Sequence, residues 1–228
     1  MTGMKTNSQL FEAYLKCPTK TWLWSRGETG EVNAYAKWVK AQEVAYRIEG
    51  VRRLREIVPG GECVVAPPPG ENLKAARWRL AVDFSVSTPG GSYGNSRPER
   101  TLNATPGQAA EGVAELQTRP GPRLLESRLH AVERVASEGR GKPAKFVPIR
   151  FIFRNKLTRD DRMLVAFEAL VLSELLGRDV NLAKIIHGDD HGTLKVKIAG
   201  LLGEVRTLAV KMADVVASGL PPNLVLNS

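Results

Sequence analysis

Apolar positions along this chain fall into blocks of two periods, and the order of the blocks points to an architecture. In residues 8–24, Leu10, Phe11, Tyr14 and Leu15 recur at the spacing that gathers side chains on one helix face, and Ser8 stands where a cap is expected. The pattern predicts one helix here, with Trp22, Leu23 and Trp24 packing its end onto the core. A second helix is predicted over residues 32–57, with Tyr35, Trp38, Val39, Gln42 and Tyr46 on one stripe and Arg47, Arg52, Arg53 and Arg55 toward its far end. Pro59-Gly60-Gly61 then stops it.

Strand character follows at Val64-Val65, at residues 77–86, at 127–135 and at 146–153, where β-branched and aromatic residues dominate or alternate with polar ones. Thr158 with Asp161 three residues on marks a helix start. Met163, Leu164, Phe167, Leu170, Val171 and Leu175 carry that helix, and Gly177 ends it. Residues 183–187 and 193–197 flank Gly188-Asp189-Asp190-His191-Gly192 as a hairpin, and a last helix buries Leu201, Leu202, Val205, Leu208, Met212, Val215 and Val216. Two helices, a run of strands, a helix, a hairpin and a helix predict an α/β protein with a mixed sheet flanked by helices.

Residues 88–122 break this rhythm. They are rich in Gly, Pro, Ser, Thr and Asn, bury little, and are expected to form a low-complexity insertion in what is otherwise one domain over 1–228. No apolar run approaches the ~18 residues that span a bilayer, and the first residues lack the form of a secretion signal, so no membrane association and a cytoplasmic location are expected. Two cysteines, Cys17 and Cys63, give no disulfide framework and too few ligands for a four-ligand zinc or iron–sulfur site. The net charge of +9 favours polyanionic partners, because neutralised phosphates release counterions.

The block Lys16-Cys17-Pro18-Thr19-Lys20, the strand Leu129-His130-Ala131-Val132-Glu133-Arg134-Val135, the strand and helix of residues 151–177, the turn of residues 184–190 and the closing Pro221-Pro222-Asn223-Leu224-Val225-Leu226-Asn227 together resemble the RecB-like nuclease family related to the CRISPR-associated adaptation nucleases. That resemblance implies a PD-(D/E)xK, restriction-endonuclease-like fold and a DNA partner. It also implies an iron–sulfur cluster in longer members, closed by one N-terminal cysteine, here Cys17, and three cysteines after the nuclease core. Where those three are expected the chain reads Leu226-Asn227-Ser228 and stops, so the cluster is not expected here.

In such a site an aspartate on one strand, and an acid two residues before a lysine on the next, bind Mg²⁺ or Mn²⁺, whose bound water attacks the phosphodiester. The resemblance places the aspartate at His130, the acid and lysine at Arg150 and Ile152, and a Gln-Tyr pair of the following helix at Met163 and Phe167. None of the five is the expected residue. Residues 148–153 contain no acid in any register, which leaves Asp83 and Glu133 as the carboxylates through which a metal-dependent reaction would run. The expectation is therefore a RecB-like protein that contacts DNA with a degenerate hydrolytic centre. The alternatives are a non-catalytic DNA-binding or scaffolding domain, or the remnant of a longer nuclease.

Residues 140–162 hold eight Lys or Arg, among them Lys145, Arg150, Arg154 and Lys156, interleaved with Phe146, Phe151 and Phe153. Such a segment is expected to follow a phosphate backbone with its cations while its aromatic faces stack on bases. His130, beside apolar residues on a strand, suits a hydrogen-bonded structural histidine. His187 and His191 around Asp189 and Asp190 suit a solvated hairpin turn better than a metal site.

Overall fold

The computed structural model describes residues 5–68, 70–88, 124–136, 139 and 143–223. Most of the 88–122 segment, and the closing segment from 224, lie outside the described residues. Among the described residues thirteen elements follow one another: β1 (Lys5–Asn7), α1 (Ser8–Lys16), α2 (Pro18–Ser25), α3 (Ala34–Ile57), β2 (Cys63–Val65), a 3₁₀ turn (Leu73–Ala75), β3 (Leu80–Ser87), β4 (Leu124–Val135), β5 (Lys145–Ile152), α4 (Arg159–Leu176), β6 (Leu182–His187), β7 (Gly192–Lys197) and α5 (Leu202–Ala217). The strands form one mixed sheet in the order β2-β3-β4-β5-β6-β7, with β1 parallel to the start of β4. β3, β4 and β5 run as an antiparallel meander, and α4 carries the chain over to β6, parallel to β5.

The predicted single helix over 8–24 is two helices. Pro18 lacks the N–H that a continuing helix needs and disfavours helical backbone in Cys17, which is extended with φ −165° and ψ 120°. Pro18 then opens α2, a position where its missing N–H costs nothing. The cap of α1 is Asn7, whose side chain accepts from the Leu10 N–H at 2.9 Å, and not Ser8. α4 matches its prediction closely. Thr158 and Asp161 form a reciprocal capping box, and Gly177 closes the helix with φ 64°, a conformation glycine adopts without penalty.

Helices cover both faces of the sheet. On one, Phe11 of α1, the apolar run of α4 and Val205, Ala209 and Met212 of α5 pack with Phe84, Leu129 and Val132. On the other, Tyr46, Val51 and Leu54 of α3 lie over Val82, Ala131, Ile149, Phe151 and Ile186. Gly50 makes that second contact possible, since a Cβ there would fall 2.4 Å from the Phe151 ring. The sheet ends before α3 does. The first half of α3 leaves Tyr35 72% and Trp38 53% exposed, so the predicted stripe is covered by the sheet only toward Tyr46.

The base-stacking expectation fails for Phe146 and Phe151, while Phe153 is half-buried. Phe146 is buried edge-on against Trp78, and Phe151 is buried beneath α3, so neither offers a face to a base. The hairpin β6–β7 forms as expected. Its turn is docked on α3, with the Tyr46 and His191 rings stacked at 4.3 Å and the Tyr46 hydroxyl donating to the Gly188 carbonyl at 2.8 Å. Burial beside Asp190 pushes the Tyr46 phenol up to about 12, which keeps it a donor.

Candidate anion cleft

Alternation along β3 slips by one residue at Asp83. Ala81 and Phe84, three apart, face the α4 side together, while Val82 between them faces α3. β4 slips at the matching place, where Leu129 and Val132 share the α4 side and Ala131 faces α3. The ladder passes from Val82↔Ala131 directly to Phe84↔Leu129 and leaves Asp83 opposite His130 without a backbone bridge. Asp83 pays for the slip with a φ of 52°, left-handed backbone that costs a non-glycine residue about 1–3 kcal/mol. The neighbouring pair Ala131↔Ile149 on β4 and β5 sets Arg150 next to His130, so Asp83, His130 and Arg150 form a row across the meander.

A cleft of about 560 Å³ opens over His130 and Arg150, between the start of α1, α3 and the strands, and it is lined by Glu12, Arg47, Ser127, Arg128, His130 and Arg150; Asp83 lines an adjoining hollow between α3 and β3 that shares Arg47 with it. The cleft continues into a smaller hollow of about 240 Å³ that reaches Lys40 and Arg154. Arg150 is 15% exposed and spans the wall. One guanidinium nitrogen donates to Glu168 Oε1 of α4 at 2.5 Å, and another lies 3.7 Å from Glu12 Oε2 of α1. Glu168 is 0% exposed. Burial raises its carboxyl pKa, against the pull of Arg150. Glu12 is also raised by burial, but its hydrogen bond with Lys16 and the charges of Lys16, Arg150 and Lys20 outweigh that and lower it overall.

His130 is a structural histidine with a defined donor. The Phe151 N–H donates to its Nδ1 at 3.1 Å, so in the neutral ring the proton sits on Nε2. Burial, and then the positive charges of Arg150, Arg47 and Arg128, hold its pKa well below the ordinary imidazole range. Asp83 faces two of those cations, with Oδ1 3.8 Å from Arg47 of α3 and 3.5 Å from Arg128 of β4. Glu133 takes no part in the cleft, because it lies on the α3 side of the sheet in an ion pair with Lys184 of β6. The two carboxylates that sequence reasoning nominated for a metal are thus held by different cations.

Mg²⁺ and Mn²⁺ demand several hard oxygen ligands. At the row, Arg150 presents a guanidinium where the resemblance leads one to expect an acid, the His130 Nδ1 is engaged by a backbone N–H, and Asp83 lies near two arginines. Among the described residues no group of three or more His, Cys, Asp and Glu is arranged to hold a metal. The residues do not fit the ion. Ile152, Met163 and Phe167, the positions where the resemblance leads one to expect a lysine and a Gln-Tyr pair, are core residues.

Cys17 and Cys63 are free thiols. Cys17 stands at the α1–α2 junction, its pKa lowered chiefly by the Lys20 backbone N–H, whereas Cys63 on β2 packs toward α3. Two thiols so placed do not assemble the four ligands of a cluster. Of the predicted phosphate contacts, Arg150 and Arg154 line the hollows, Arg154 also pairing with Asp161 at 2.7 Å. Lys145 lies at the opposite end of β5, roughly 16 Å from Arg150 along the strand. Lys156 lies in the exposed loop before α4.

Sequence reasoning missed Glu12, Arg47, Arg128 and Glu168. Of these only Glu168 carried a local signal, a lone acid inside the apolar run Met163–Leu172 of a helix that is buried all round.

No family model and no curated protein matches this sequence. Among solved structures, the crystal structure of SSO0001 is similar to this chain with a TM-score of 0.51 at 8% identity, over 94% of this chain and 78% of that one. At that identity the likeness concerns the fold alone. No helix among the described residues is long and apolar enough to cross a membrane.

Proposed function

We propose that this protein contacts DNA through the arginine-lined cleft and belongs to the RecB-like, PD-(D/E)xK kind of protein in a form without a working hydrolytic centre. One observation carries the reading. At the row where such an enzyme needs metal-binding carboxylates, this chain sets His130 and Arg150, with Arg47 and Arg128 converging from α3 and β4. Guanidinium groups are fixed cations that recognise phosphate by paired hydrogen bonds, which a metal-binding carboxylate cannot do. The β3–β4–β5 meander with its crossover through α4 to β6 is the kind of mixed sheet that this reading expects. The net charge of +9 agrees with a polyanionic partner.

Binding of a fluorescein-labelled oligonucleotide, followed by anisotropy, tests the reading. If Arg47, Arg128, Lys40 and Arg154 each neutralise one phosphate, affinity falls about fiftyfold for a single strand and about 150-fold for a duplex between ~50 and ~200 mM salt. Affinity independent of salt, or no binding at low salt, would remove the proposal.

A further inference from the structure

Resting on that phosphate-binding reading, we infer that Asp83 is a displaceable latch: from the adjoining hollow its carboxylate holds Arg47 and Arg128, which line the cleft, in place of a phosphate, and it is supplanted when a phosphodiester of the DNA backbone enters the cleft. Three features of the site point this way. The carboxylate oxygen lies 3.8 and 3.5 Å from the two guanidinium groups, beyond the usual reach of a hydrogen bond, and Oδ1 is buried with no hydrogen-bond partner. Asp83 thus holds the two guanidinium groups by charge and not by a hydrogen bond, loosely enough for a better-fitting acceptor to recruit them. Second, Ser127 lines that cleft at 3% exposure, and its hydroxyl also lacks a hydrogen-bond partner among the described residues. His130, whose proton sits on Nε2, lines the same cleft.

Third, the latch is built at a backbone conformation that alternation along the strand does not provide. The φ of 52° at Asp83 and the slip opposite His130 place this acid between two cations from different elements. A phosphodiester has two non-bridging oxygens that can each accept from a guanidinium, and it carries the negative charge that Asp83 supplies in its absence. Asp83 therefore competes with the ligand and lowers its affinity. A metal-binding carboxylate would do the opposite.

The sign of the effect on binding separates the two roles. Asparagine matches aspartate in size and is among the residues that tolerate left-handed backbone, so Asp83→Asn keeps the fold, which a thermal melt monitors. With a labelled single-stranded oligonucleotide in EDTA at fixed salt, Asp83→Asn is expected to bind roughly threefold to tenfold tighter, as two weak ion pairs are released. In an Arg128→Gln background, itself weaker in binding, the same substitution is expected to gain less than about twofold, because the cations no longer share the latch. Equal or weaker binding by Asp83→Asn overturns the latch, and so does an undiminished gain in the Arg128→Gln background, which would reduce the effect to net charge. Absence of binding by both the unmodified protein and Asp83→Asn would instead overturn the phosphate-binding reading beneath it.

Discussion

Replacing Arg150 by methionine is expected to lower stability by about 3–5 kcal/mol, the cost of leaving a buried charge without its partner. Methionine fills the volume of the arginine stem, but nothing then faces Glu168, which is fully buried on α4 and already has one carboxylate oxygen without a hydrogen bond. Against the ~5–15 kcal/mol by which a domain of this kind is stable, that is a large fraction. The loss depends on pH in a defined direction. Burial raises the Glu168 carboxyl above its ordinary value of 4.5 even beside Arg150. An acid with a raised folded pKa favours folding below its unfolded pKa and loses that contribution as pH rises through the folded one. The defect is therefore smallest below pH 4.5, where Glu168 is protonated in both states, and grows toward neutrality. Urea unfolding across this range measures it, and adding Glu168→Leu should recover most of the loss. A defect equal at every pH, or one not relieved by the second substitution, would contradict the buried pair.

Phe11→Ala is expected to cost a further class of stability, about 3–5 kcal/mol, by opening a cavity between α1 and α4. Phe11 is fully buried, and its ring stacks on that of Phe167 with centroids 4.4 Å apart. The contact fixes α1, which carries Glu12 to Arg150 and begins at the rim of the cleft. Loosening α1 should therefore weaken oligonucleotide binding several-fold at temperatures where the variant remains folded. Unfolding by urea gives the first quantity and anisotropy the second. A loss below about 1 kcal/mol would mean that α1 is held by other contacts.

The fold was largely legible in the chain because its elements carry their own punctuation. Thr158, Asp161 and Gly177 bound α4, and the glycines and aspartates of residues 188–192 mark the turn between β6 and β7. Pro18 was an equally local signal, and a period-based reading of residues 8–24 ran across it. Tyr35 and Trp38 show a different limit: periodicity shows which residues share a helix face, and only the extent of the sheet decides whether that face is covered. The same limit applied to Phe146 and Phe151, whose burial depends on Trp78 and on α3. In the cleft, His130 and Arg150 were found through the resemblance. Arg47, Arg128 and Glu12 come together only through the sheet register and the packing of α1 and α3, which no local pattern encodes.

The central claim is that guanidinium groups, and not a divalent ion, meet phosphate in this cleft. Oligonucleotide binding and cleavage measured side by side in EDTA and in Mg²⁺ or Mn²⁺ at matched ionic strength tests it most directly. The account predicts affinity in EDTA at least equal to that with the ion, and no cleavage above background under either condition. Cleavage that requires the ion and disappears in Asp83→Ala or Glu133→Ala would contradict it.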